Sequence, residues 1–164
     1  MSARAYIALG SNLDEPVWQV RQALVALDEL PQTQCLVAST LYRNPPLGPQ
    51  SQPDYVNAVA AVATDLAPMA LLRALQSLEA AAGRHRGAER WGPRPLDLDI
   101  LLYDQLMLDG PELCLPHPGL TERAFVVYPL AEIAPELSVP GHGPVAVLRE
   151  GVDGSALVPV GQEP

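Results

Sequence analysis

Two kinds of apolar spacing alternate along this short chain, and that alternation limits its fold more than any other feature. Residues 5–10 (AYIALG) form an unbroken apolar run of strand length. GSNLDEP leads out of it, and Pro16 suits the first turn of a helix. Val17, Val20, Ala23, Leu24 and Leu27 then recur at helical spacing, ending near Leu30 and Pro31. Strand-like runs follow at 35–43 (CLVASTLYR) and 55–64 (YVNAVAAVAT). A second helix is predicted from Pro68 to Ala82, with Leu71, Leu75, Leu78 and Ala82 on one stripe. LDLDILLY, at 96–103, is the next strand, with a shorter strand or hairpin partner near Leu106–Leu108.

The order β-α-β-β-α-β predicts an α+β sandwich of ferredoxin-like type. Leu120–Ala134 reads as helical in parts, interrupted at Pro129, and the tail from Glu150 to Pro164 lacks periodicity and is expected to be poorly ordered. No repeat or low-complexity linker divides the 164 residues, so a single domain over 1–164 is expected.

Composition removes several classes of function. The formal net charge of −9 argues against a general nucleic-acid binder, whose affinity comes largely from phosphate neutralisation. No apolar run reaches the roughly 18–20 residues of a membrane span, and the N-terminus shows no signal-peptide core. A cytoplasmic location is expected. Cys35 and Cys114 stand far apart without metal-type spacing and read as reduced core cysteines. All ten basic residues are arginine, which excludes a lysine-dependent phosphate loop.

The chemistry concentrates between Gly83 and Leu102. Arg84, Arg86, Arg90, Arg94 and Trp91 precede Asp97 and Asp99. Strand alternation points both aspartates one way and Leu96, Leu98, Ile100 and Leu102 the other. Two adjacent carboxylates need a counter-charge. Mg²⁺ supplies it with one or two carboxylates and completes its shell with water and phosphate oxygens, while arginine forks bind phosphate. Solvent-facing acids on an exposed sheet are the simpler alternative for the aspartates, as is a solvated loop for Arg90. His117 suits either a phosphate contact or a turn cap. Residues 44–54 hold four prolines in eleven positions, and with 83–95 they form two long loops of the kind that bind ligands. Tyr55, Trp91 and Phe125 are scarce large rings in a chain with 5% aromatics, and Tyr55 and Trp91 adjoin these loops. Asn57 shares a strand face with Tyr55 and offers a donor and an acceptor to a base-like ring.

Four segments carry a family resemblance: AYIALGSNL, LYRNPPLGPQSQPDYVNA, GRHRGAERWGPRPLDLDILLY and LPHPGLTERAFVVYPLAEIAPE. In order and spacing they resemble the 6-hydroxymethyl-7,8-dihydropterin pyrophosphokinases of folate biosynthesis, over most of residues 5–140. The resemblance implies a three-layer α/β/α sandwich with a mainly antiparallel sheet, monomeric, that moves pyrophosphate from ATP to a pterin alcohol and releases AMP. By position, Asp97 and Asp99 would hold two Mg²⁺ ions and act in catalysis with Arg84 and Arg94. Gln76, Glu79, Arg84, Arg86, Arg94, Ile100, His117 and Arg123 would line the nucleotide site. Tyr55 and Phe125 would stack on the pterin, while Asn57, Pro45, Pro46, Leu47 and Gly48 would recognise its edge. Trp91 would help close the site. ATP and the pterin are the partners implied, with no nucleic acid and no membrane.

Four positions depart from common family forms: Asn44 for Thr, Gly87 where Lys occurs, Glu112 for a basic residue, and Pro118 where an aromatic occurs. These bear on ATP contacts rather than on the reaction. A non-catalytic binding module, an RNA-binding domain of similar topology and a different phosphoryl transferase are the rival readings. Release of AMP separates the first reading from all three.

Overall fold

The computed structural model describes residues 2–13, 15–45, 53–83 and 95–161. Among them, β1 (Ala3–Ser11), β2 (Thr33–Ala38), β3 (Tyr42–Asn44), β4 (Tyr55–Thr64), β5 (Asp97–Tyr103) and β10 (Val158–Pro159) build one sheet. Its order is β10-β3-β4-β1-β5, with β2 on β4 beside β3, and every pair is antiparallel. Helices α1 (Pro16–Glu29) and α2 (Pro68–Ala81) cover one face; α3 (Ala124–Ile133) and α4 (Val145–Glu150) cover the other. The α+β layering expected from the element order is present.

Each face has its own apolar core. Ile7 and Leu9 of β1 and Leu98 and Ile100 of β5 meet Val20, Leu27, Leu71 and Leu75 of α1 and α2. On the opposite face Tyr6, Val59, Leu101 and Leu102 meet Val126 and Leu130 of α3. Fully burying each such side chain contributes about 1.5–3 kcal/mol, so the two cores dominate the stability of the sandwich.

Several elements differ from their sequence expectation. The run 35–43 is two strands, not one. Leu36 is an extra residue in the pairing with β4, and beyond Ala38 the chain leaves the ladder. Thr40 there donates both its N–H and its hydroxyl to the Glu132 carboxylate of α3, each at 2.9 Å. Leu102 does not share the face of Ile100. Register shifts between Tyr6 and Ile7, so Leu101 is a bulge that turns Leu102 toward α3. Pro129 lies inside α3 without interrupting it. It forgoes one backbone bond, while Val126, Val127 and Leu130 stay buried along the same helix. Leu106 and Met107 lie outside any strand, and β6 (Leu108–Asp109) pairs with β7 (Cys114–Leu115) rather than with β5. The tail packs back up to Gly161. Val160 N–H donates to Leu41 O at 2.8 Å, Tyr128 Oη donates to Val152 O at 2.8 Å, and β10 pairs with β3.

Candidate functional site

Antiparallel register brings the candidate side chains into rows across the sheet. Gly10 of β1 lies opposite Asn57 of β4 on one side and Asp97 of β5 on the other. In the next row, Ala8 lies between Val59 and Asp99. Tyr55, two residues before Asn57, stands on the same face. All of these belong to the α3 face, at the end of the sheet where the connections 45–54 and 82–96 enter β4 and β5. The floor between the aspartates and the Tyr55–Asn57 pair is therefore made of a glycine and an alanine. That shallow floor was not among the sequence expectations, because strand register alone reveals it.

The two sides of this trough are held differently. Asp99 is exposed and Asp97 half-buried at the start of β5. Asn57 is buried, and its Nδ2 donates to Asn44 Oδ1, whose own Nδ2 donates to Pro45 O at 3.1 Å. A methyl group at Gly10 would sit 2.8 Å from Asn57 Oδ1, so glycine makes the room this amide occupies. Buried Asn12 ties the end of β1 to the loop before β4 by donating to Pro53 O at 3.2 Å. Tyr42, opposite Asn57, donates its hydroxyl to Glu132 at 2.7 Å. Burial and then the Glu132 carboxylate push that phenol's pKa up to about 12.

β5 is an edge strand among the described residues. Leu98 N–H points away from β1 and donates to the buried carboxylate of Glu79, at 2.8 Å. Ile100, two residues on, turns its backbone groups to the same open edge while its side chain is buried. Only the backbone of Ile100 can therefore face a ligand. Glu79 meets the edge strand directly; Gln76 lies one turn earlier on α2 and is exposed.

On the other flank, His117 N–H donates to Leu101 O at 2.9 Å. Its Nδ1 accepts from Gly119 N–H at 3.0 Å, which leaves the ring proton of the neutral form on Nε2. Burial holds the His117 pKa below its ordinary value; the Asp99 carboxylate opposes this shift and Arg123 reinforces it. The structure thus joins Asp99, His117 and Arg123 electrostatically. The Arg123 guanidinium carbon lies 6.0 Å from the centre of the Phe125 ring, which is half-buried in the first turn of α3. Arg84, Arg86, Arg90, Trp91, Arg94, Pro46, Leu47, Gly48 and Gly87 lie outside the described residues.

Donor chemistry favours a hard cation beside phosphate at Asp97 and Asp99. The pair is oxygen-only and stands opposite the small residues Gly10 and Ala8, a donor set that fits a hard cation completing its shell with water and phosphate oxygens. Among the described residues no cluster of three or more His, Cys, Asp or Glu side chains forms a closed metal site. None of their helices is long and apolar enough to cross a membrane.

Fold and site together define a class: an α+β sandwich whose edge strand carries two carboxylates on the sheet face that also bears Tyr55 and Asn57. Residues 6–135 match the family described as 7,8-dihydro-6-hydroxymethylpterin-pyrophosphokinase (HPPK). Similar curated proteins include the 2-amino-4-hydroxy-6-hydroxymethyldihydropteridine pyrophosphokinase of Pseudomonas aeruginosa. It is 54% identical over 140 residues, which cover 85% of this chain and 86% of that one. The protein of the same name from Haemophilus influenzae is 51% identical, over 83% of this chain and 84% of its own. A crystal structure of Plasmodium falciparum HPPK-DHPS shares the fold, with a TM-score of 0.72 at 12% identity over 92% of this chain. This chain spans 45% of that longer one. The chain belongs to the 7,8-dihydro-6-hydroxymethylpterin-pyrophosphokinase family.

Proposed function

We propose that the protein transfers pyrophosphate from ATP to the hydroxymethyl group of 6-hydroxymethyl-7,8-dihydropterin, releasing AMP, as a step of folate biosynthesis. Family membership supports the reaction. The single structural observation that carries it is the pair of rows Asn57–Gly10–Asp97 and Val59–Ala8–Asp99, which seat a polar ring pocket and a carboxylate pair on one shallow floor.

In this reading the acceptor ring lies against Tyr55 and Phe125, and Asn57 and Pro45 meet its polar edge. Pro46, Leu47, Gly48 and Trp91 are assigned to the same pocket from the family pattern. The nucleotide runs along the open edge of β5, past Gln76, Glu79 and the backbone of Ile100, toward His117 and Arg123. Arg84, Arg86 and Arg94 are assigned to the phosphates. Asp97 and Asp99 would hold Mg²⁺, two ions in the proposed state, and the metal would supply positive charge against the phosphates. The hydroxymethyl oxygen forms a bond to the β-phosphorus, the bridging bond to the α-phosphate breaks, and AMP leaves with the bridging oxygen. The alcohol proton passes to solvent, with Asp97 placed to accept a hydrogen bond from that hydroxyl. Positioning and charge supply most of the rate in such a site.

We assign the protein a monomeric state, a single domain and a cytoplasmic location, without nucleic-acid or membrane partners. The deciding experiment is detection of AMP and of the pyrophosphorylated pterin by mass spectrometry, with and without Mg²⁺. Release of ADP, or no Mg²⁺ dependence, would overturn the assignment.

A further inference from the structure

Three polar side chains of α2 follow one another a turn apart: Glu79, which meets β5, then the exposed Gln76 and Arg73. Spaced by three residues, they share a helix face. Glu79 fixes where that face looks, because its carboxylate receives Leu98 N–H at 2.8 Å. Arg73 Nη1 donates to Gln76 Oε1 at 3.0 Å. Its Nη2 lies 2.6 Å from Glu112 Oε2, in the turn that joins β6 to β7. That turn leads into the segment whose His117 N–H meets Leu101 O. The Arg73–Glu112 pair thus ties α2 to the turn between β6 and β7.

The chemistry of the tie is directional. A primary amide can show a ligand either its oxygen or its NH₂ group. With Oε1 of Gln76 held by a guanidinium, the amide is fixed with its oxygen toward Arg73 and its NH₂ group on the opposite branch, to be offered as a donor. Glu112 anchors the guanidinium, and Arg73 in turn neutralises a carboxylate that would otherwise repel a polyanion. Both partners are half exposed, at 53% and 52%, and such pairs contribute little to stability.

We infer that Arg73 is a positioning residue for the nucleotide: anchored by Glu112, it presents the Gln76 amide as a hydrogen-bond donor to the nucleoside half of ATP. The inference presupposes the ATP-dependent reading of the cleft. It also gives Glu112 a defined task.

The test is calorimetric titration of the whole chain with a non-hydrolysable ATP analogue and Mg²⁺, alongside steady-state kinetics and thermal melts. Arg73→Ala should weaken the analogue about fivefold, the scale of one oriented hydrogen bond. The Tm and the pterin KM should not move, and Arg73→Lys should restore part of the affinity. Gln76→Ala should match Arg73→Ala, and the double variant should be no weaker than either, because one acts through the other. Losses that multiply in the double variant overturn the inference, as does an unchanged affinity. A fall in Tm or a parallel rise in pterin KM would assign Arg73 a structural role instead. If the wild-type protein binds the analogue but releases no AMP, the proposed reaction fails while the Arg73–Gln76 coupling is still read. If the analogue does not bind at all, both fail.

Discussion

Gly10→Ala isolates the floor of the trough. The added methyl would lie 2.8 Å from Asn57 Oδ1, 3.7 Å from Tyr55 Cδ1 and 3.8 Å from Asn57 Cγ; no atom of Asp97 is among these nearest neighbours. The amide has little freedom to yield, since it is buried and its Nδ2 is engaged by Asn44. Overpacking of this kind costs about 1–3 kcal/mol, and exchanging glycine for alanine within a strand returns about 0.5–1 kcal/mol. The net destabilisation is roughly 0–2.5 kcal/mol, centred near 1, which corresponds to a Tm lower by about 2–4 °C for a domain of this size. Displacing Asn57 from Asn44 removes an orienting bond worth about 0.5–1.5 kcal/mol, so the pterin KM should rise about three- to tenfold. The ATP KM should stay at its wild-type value, because the methyl points at the amide and not at the carboxylates. Thermal melts and kinetics with each substrate varied in turn give all three numbers. An unchanged Tm with an unchanged pterin KM, or equal shifts in both KM values, would refute the reasoning.

Asp97→Ala and Asp99→Ala should each abolish AMP release while circular dichroism and Tm remain near wild type; a wild-type rate in either removes the metal assignment. Glu79→Leu should lower stability by about 1–3 kcal/mol, because Leu98 N–H loses its buried acceptor, whereas Glu79→Gln should cost less; equal losses on denaturant titration would show that the acceptor is immaterial. His117 titrates below its ordinary value of 6.5 in the fold, so between the two pKa values the unfolded chain binds the extra proton. Stability should rise with pH through that window and level off above it. Denaturant midpoints at about pH 5 and about pH 7.5 measure this, and His117→Asn, which keeps an acceptor for Gly119, should flatten the difference.

Helices α1 and α2 and the longest strand were legible because a single periodicity runs through each. β4 occupies Tyr55–Thr64, where its apolar run begins and ends. The split at Ser39 was hidden: the run 35–43 stays strand-like in composition, and the partner that draws Thr40 out of line, Glu132, lies 92 residues away. The bulge at Leu101 was hidden for another reason, since LDLDILLY reads as alternation up to Ile100 and three apolar residues in a row leave the phase open. At the site, residue types drew attention to the aspartates, Tyr55 and Asn57. Gly10, Ala8, Asn12 and Arg73 carry no such mark, because their importance comes from what stands opposite them in the folded chain.

The bulge also gives β5 a seam. Upstream of Leu101, Asp97 and Asp99 are set by Gly10 and Ala8; downstream, Tyr103 turns back toward α2 and donates its hydroxyl to Leu66 O at 2.5 Å. Drawing Leu101 into the ladder, with no residue removed, would bring Leu102 into phase with Ile100 and swing Tyr103 away from that carbonyl, while the aspartates kept their partners. For protein engineering, the strand is therefore two cassettes joined end to end. The half that carries Asp97 and Asp99 answers to β1 beside it and to α1 and α2 beneath Leu98 and Ile100, whereas Leu101 and Leu102 answer to α3.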